Sequence, residues 1–100
     1  MRRRANGTRR GTAIVTLDQL RRRIDRIDER LLGLLNQRAE AVLQIGRIKK
    51  KQRLPVYDGR REQQVLLRLS RRNGGPLPVG SVKAIFKEIL RRNRGLQGKR

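Results

Sequence analysis

From Leu20 to Ile45 the apolar residues recur at the three- and four-residue spacing of an α-helix, and no proline interrupts the chain until Pro55. At 100° per residue, with Arg38 taken as zero, Leu20 falls at about 0°, Ile27 at about −20°, Leu31 at about +20°, Leu34 at about −40°, Val42 at about +40° and Ile45 at about −20°. This is one stripe on one helix. The pattern predicts a helix over residues 17 to about 51, about 50 Å long at 1.5 Å per residue. A compact monomer of 100 residues has a radius of gyration of only about 13 Å. A helix of that length outruns any core its own chain can wrap around it, so it calls for a partner helix.

Composition points the same way. One hundred residues support one domain that buries roughly 60 to 65% of its extended surface, and with 35% hydrophobic residues a monomeric core is thin. Oligomerisation is therefore expected. The chain contains no His and no Cys, which excludes Ser-His-Asp and Cys-His nucleophile systems and zinc sites of the usual ligands. No apolar run is long enough for a signal peptide or a membrane span, so a cytoplasmic protein without a membrane anchor is expected.

Residues 1–15, rich in arginine and without an apolar period, are read as a basic flexible arm, and residues 16–100 as the folded domain. Thr16 and Gln19 form a capping box, with Val15 and Leu20 placed to staple it. After the long helix, Leu54-Pro55-Val56-Tyr57 forces a break and Asp58 is a good N-cap. A second helix of about 14 residues follows, with Val65, Leu66 and Leu69 on its inner face, and Asn73-Gly74-Gly75-Pro76-Leu77-Pro78 stops it. A third helix is expected from about Val79 to Arg94, with Val82, Ile85, Phe86 and Ile89 inward. Strand signals are absent, so the fold class is all-α, with one long helix and two shorter ones.

The informative positions are polar residues on these apolar faces, because a charge that faces a core must be paired or functional. Arg38 sits at the centre of the first stripe, and Lys49 lies at about +20° on it, about 16 Å further along the axis. On the second helix, with Glu62 as zero, Leu66 falls at about +40°, Leu69 at about −20° and Asp58 at about −40°. On the third, with Ile89 as zero, Asn93 falls at about +40°, Leu96 at about −20° and Gln97 at about +80°, on the edge. Periodicity leaves two accounts open: buried ion pairs of Arg38 or Lys49 with Glu62, or a polar pocket shared by all three helices.

The runs Leu20-Arg21-Arg22-Arg23-Ile24-Asp25-Arg26-Ile27-Asp28, Leu31 to Arg38, Gly46-Arg47-Ile48-Lys49 and Pro55-Val56-Tyr57-Asp58-Gly59-Arg60-Arg61-Glu62 resemble the all-α class of chorismate mutase. The resemblance covers residues 17 to 97. It implies an intertwined helical homodimer and a rearrangement of chorismate to prephenate without metal or cofactor, on the way to the aromatic amino acids Phe and Tyr. It also implies roles for individual residues. Arg38 matches the arginine that binds a substrate carboxylate within its own protomer. Arg21, at about +100° from Arg38 and by pattern alone a solvated arginine, matches the one that crosses into the partner's site. Lys49 matches the lysine that reaches a carboxylate and the breaking ether oxygen, and Gln97 the residue that meets that oxygen from the other side. Glu62 with Asp58 matches the pair that receives the ring hydroxyl, although Asp58 is equally well explained as a cap. Arg61 matches the neighbouring arginine of the carboxylate site.

Three positions depart from the family pattern or weaken it. Asn93 stands where the family usually has Ser, so its contact to the substrate would come from an amide. Gly95 and Gly98 flank Gln97 and, if helical, weaken the last turn by about 0.8 to 1 kcal/mol each relative to Ala; were that turn frayed without ligand, Gln97 would be placed only on binding. Gly33 and Gly46, inside the long helix, are read as points of close helix approach. Two rival functions remain. An isochorismate-pyruvate lyase uses the same clamp, and a basic helical nucleic-acid-binding protein suits the net charge of +20, though Tyr57 and Phe86 are the sole aromatics for stacking. The arm is expected to bind polyanions weakly, apart from catalysis. Because the chain ends at Arg100, a monofunctional enzyme is expected.

Overall fold

The computed structural model describes residues 14–98. The segment read as an arm lies almost wholly outside them, as do Lys99 and Arg100. Three helices follow in order, α1 (Leu17–Gln52), α2 (Gly59–Arg72) and α3 (Val79–Gln97), with no strand among the described residues.

The ends of α1 follow from local chemistry. The Thr16 N–H donates to Gln19 Oε1 at 2.9 Å and the Gln19 N–H to Thr16 Oγ1 at 3.1 Å, closing both halves of the predicted capping box. At the other end Arg53 adopts φ 59°, the Leu54 N–H reaches back to the Lys49 carbonyl at 2.7 Å and the Arg53 N–H to the Lys50 carbonyl at 3.2 Å. That is a Schellman closure with arginine where glycine is usual. Lys49, Lys50 and Lys51 fill the last turn, where the helix dipole favours cations. The turn thus reverses the chain two residues before Pro55.

Residues up to Leu35 and residues from Asn36 onward form separate compact units. The first consists, among the described residues, of the amino-terminal half of α1 and the residues that lead into it. Leu20, Ile24, Ile27, Leu31 and Leu34 are all exposed there, so the apolar stripe has no cover within this unit. The second unit holds the core: Val42 of α1, Val65 and Leu66 of α2, and Val82 and Leu90 of α3 are buried. Val65, Leu66 and Leu90 form one cluster, packed on its flanks by Leu69 and Phe86. Asp58 caps α2 by accepting the Arg61 N–H at 3.1 Å.

The third helix departs from expectation in two ways. It continues past Arg94 to Gln97, and the Gly98 N–H closes its end on the Arg94 carbonyl at 3.4 Å, so the last turn is formed despite Gly95. Its inner face is also rotated. Leu90 is buried while Ile85 is 48% exposed, which turns the buried strip by about 60° from the Ile89-centred face predicted above. Phe86 sets this register because its large ring packs against Val65 and Leu66. Rotation moves Gln97 from the edge of the face to its interior.

Gly46 is a point of close approach, as expected: a Cβ there would stand 3.1 Å from the Gln97 Cα. Gly33 is not one within the described chain, since nothing lies within 4 Å of its would-be Cβ. Among the described residues, no helix is long and apolar enough to cross a membrane.

Candidate active site

In the second unit the three helices and the Val56 segment enclose a cavity of about 290 Å³, near the lower bound of roughly 300 Å³ for small-molecule sites. Its polar lining is Arg38, Lys49, Asp58, Arg61, Glu62, Asn93 and Gln97, and Val42, Ile45, Val56, Val65 and Leu90 supply the apolar wall. The shared pocket, rather than a set of buried ion pairs, is thus what the interrupted stripes build. Every sequence-predicted site residue except Arg21 is brought together here. Arg21 is exposed on α1 in the first unit.

Each side chain is held by the element that carries it. Arg38 and Lys49, eleven residues apart on α1, both line the cavity. An Arg38 terminal N–H donates to Asn93 Oδ1, which leaves most of the five guanidinium donors uncommitted. Lys49 Nζ donates to the Val56 carbonyl at 2.8 Å, which pins the ammonium beside the chain reversal with two donors to spare. Gln97 Oε1 is buried with no hydrogen-bond partner. An unpaired buried amide oxygen costs about 1–3 kcal/mol, so a ligand group that donates a hydrogen bond to it is favoured.

The electrostatics favour an anion. Burial, then the neighbouring charges of Arg61 and Arg68, lower the Arg38 pKa from its ordinary value. Arg38 remains a cation, because guanidinium groups do not deprotonate in proteins. What the lowering reports is a partly desolvated charge among like charges, which an incoming carboxylate relieves. The two carboxylates differ in their commitments. Asp58 serves as the α2 cap and also lines the cavity. Glu62 is paired, but not with Arg38 or Lys49: its partner is Arg94, whose Nε lies 3.0 Å from Glu62 Oε2.

Arg94 is the residue that sequence reasoning missed. With Ile89 as zero it falls at about 140°, well off the apolar face, so periodicity reads it as solvated. It reaches Glu62 across the α2–α3 contact, and its guanidinium lies 4.8 Å from the Tyr57 ring centroid. No helical pattern within one element signals a partner 32 residues away.

Residues 20–98 match the family described as chorismate mutase type II. A bifunctional chorismate mutase/prephenate dehydratase of Aquifex aeolicus is 41% identical over 78 residues, 74% of this chain and 22% of that protein. The chain spans about a fifth of the length of the curated relatives it matches. Among solved structures, a chorismate mutase of Thermus thermophilus aligns with a TM-score of 0.83 at 34% identity, covering 84% of this chain and 96% of that one. A chorismate mutase of Helicobacter pylori, solved in complex with prephenate, aligns with a TM-score of 0.75 at 37% identity, covering 81% and 88% respectively. The chain belongs to the chorismate mutase type II family.

Proposed function

We propose that this chain is a cytoplasmic chorismate mutase that converts chorismate to prephenate. The observation that carries the proposal is the convergence of Arg38, Lys49, Arg61, Glu62 and Gln97 on one small cavity, in a chain of the chorismate mutase type II family that aligns with a chorismate mutase solved with prephenate. The reaction is a unimolecular Claisen rearrangement. The ether C–O bond of the enolpyruvyl side chain breaks as a new C–C bond forms to the ring, with no proton transfer and no nucleophile. Its barrier falls when the side chain is held over the ring and when charge on the ether oxygen is stabilised.

Arg38 and Arg61 take the substrate carboxylates, for which the planar fork of Arg38 is suited to two parallel hydrogen bonds. Lys49 places its spare donors at the ether oxygen, where negative charge grows. Gln97 meets that oxygen from α3 through its amide N–H. Glu62, with Asp58 beside it, accepts the ring hydroxyl, and Asn93 offers its amide N–H to the ring carboxylate while its Oδ1 holds Arg38.

The proposal includes an intertwined homodimer in which Arg21 enters the partner's cavity. It is supported by the uncovered stripe Leu20, Ile24, Ile27, Leu31 and Leu34, whose burial against a second copy of itself contributes about 25 cal/mol per Å² of apolar surface. The open space at Gly33 suits close approach by that second helix. The test is loss of chorismate absorbance with identification of the product. Prephenate formation is expected; release of pyruvate from isochorismate in preference to it would assign the lyase activity instead.

A further inference from the structure

Resting on the proposed mutase activity, we infer that Arg94 is a positioning residue that orients Glu62 toward the substrate, and that Tyr57 and Gly59 hold Arg94 in place. Arg94 grips both oxygens of Glu62, with Nε 3.0 Å from Oε2 and a terminal nitrogen 3.4 Å from Oε1. Of the two side chains, Glu62 is the more buried and lines the cavity, while Arg94 is not among the residues that line it. A carboxylate has about four lone-pair sites, so the two that Arg94 occupies leave the others for a ligand hydroxyl. The fork fixes the plane of the carboxylate as well as its position, which a single point charge does not.

The brace extends one residue further. Arg94 stacks over Tyr57 at 4.8 Å, a cation–π distance. Tyr57 can lie there because residue 59 is glycine: a Cβ at Gly59 would stand 2.7 Å from the Tyr57 hydroxyl. Gly59, Tyr57 and Arg94 thus form a chain of contacts that ends on Glu62. An ion pair with this much solvent access contributes little to folding stability. Its consequence lies in where Glu62 points.

The test is a double-mutant cycle on the full chain with chorismate: wild type, Arg94→Leu, Glu62→Gln and the double variant. Arg94→Leu should lower kcat/KM by about 10-fold in the wild-type background and have no further effect when Glu62 is already Gln. Additive losses, or wild-type kinetics for Arg94→Leu, would overturn the proposal. Arg94→Lys, which keeps the charge but not the fork, should recover only part of the loss; full recovery would show that charge alone suffices and overturn the positioning role.

An optical readout separates this proposal from the activity on which it rests. Tyr57 is the chain's one tyrosine and there is no tryptophan, so the tyrosine band of the near-UV circular dichroism, at longer wavelength than that of Phe86, reports the surroundings of Tyr57. Arg94→Leu and Gly59→Ala should both change that signal while the far-UV helix signal stays constant. If wild type fails to convert chorismate, the mutase reading fails and the brace is judged on this signal alone. An unchanged Tyr57 signal in Arg94→Leu overturns the brace whatever the enzyme does.

Discussion

At Gly46 a missing methyl group decides where Gln97 stands. The Gln97 Cα occupies space 3.1 Å from a would-be Cβ, and it is backbone, which cannot swing aside as a side-chain tip can. Gly46→Ala should lower kcat by about 10-fold through displacement of Gln97. The melting temperature should change little, because the helix preference of Ala over Gly, about 1 kcal/mol, offsets the crowding. Steady-state kinetics and thermal melts of the same variant check both halves. If Arg38 binds a substrate carboxylate through its fork as proposed, Arg38→Lys should lower kcat/KM by at least about 10-fold, read from initial rates. That Arg38, Lys49 and Glu62 line one cavity was legible in the sequence because each interrupts an apolar stripe on its own helix, and Asp58 falls on the same face as the cap of α2. Arg94 was not legible, because its role depends on α2 and the Tyr57 segment coming within reach, which no single-helix pattern encodes.

For whole elements, boundaries set by local chemistry were readable and rotations set by packing were not. The capping box at Thr16, the reversal before Pro55 and the Asp58 cap each follow from residues within five positions of one another. The face that α3 buries follows instead from the fit of Phe86 and Leu90 against Val65 and Leu66. Hydrophobicity alone ranks Ile85 with Leu90, and packing separates them. Outside this core, α3 carries Glu88, which accepts hydrogen bonds from Arg91 and Arg92; these hold its pKa down to about 2, from 4.5. A carboxyl depressed in the folded state contributes stability that is fully present above its unfolded pKa and lost as pH falls through the folded one. Because the cluster is exposed, Glu88→Gln should lower the melting temperature only slightly at pH 7. That gap should close between about pH 4.5 and about pH 2 in a series of thermal melts. A gap that widened in acid would contradict the assignment.

The whole molecule is organised by the imbalance between α1 and the core available to it. Its carboxy-terminal half contributes Val42 to a core and Arg38 and Lys49 to a cavity, while its amino-terminal half presents an apolar stripe with nothing to bury it in the first unit. In the proposed homodimer, association through that stripe would cover these leucines and isoleucines and would supply Arg21 to a cavity that already has the other predicted residues. Ile27→Glu, which places a charge on the stripe, should shift the protein from dimer to monomer in sedimentation experiments and abolish turnover. The most direct test of the shared site is complementation. Arg21→Ala and Arg38→Ala chains are purified separately, mixed, refolded together and assayed for conversion of chorismate to prephenate. Half of the randomly formed dimers then pair the two variants, and one of the two sites in each has both arginines. Each variant alone should be nearly inactive, and the mixture should regain about a quarter of wild-type activity. No recovery on mixing, or full activity of Arg21→Ala by itself, would contradict a mutase whose active site is completed by its partner.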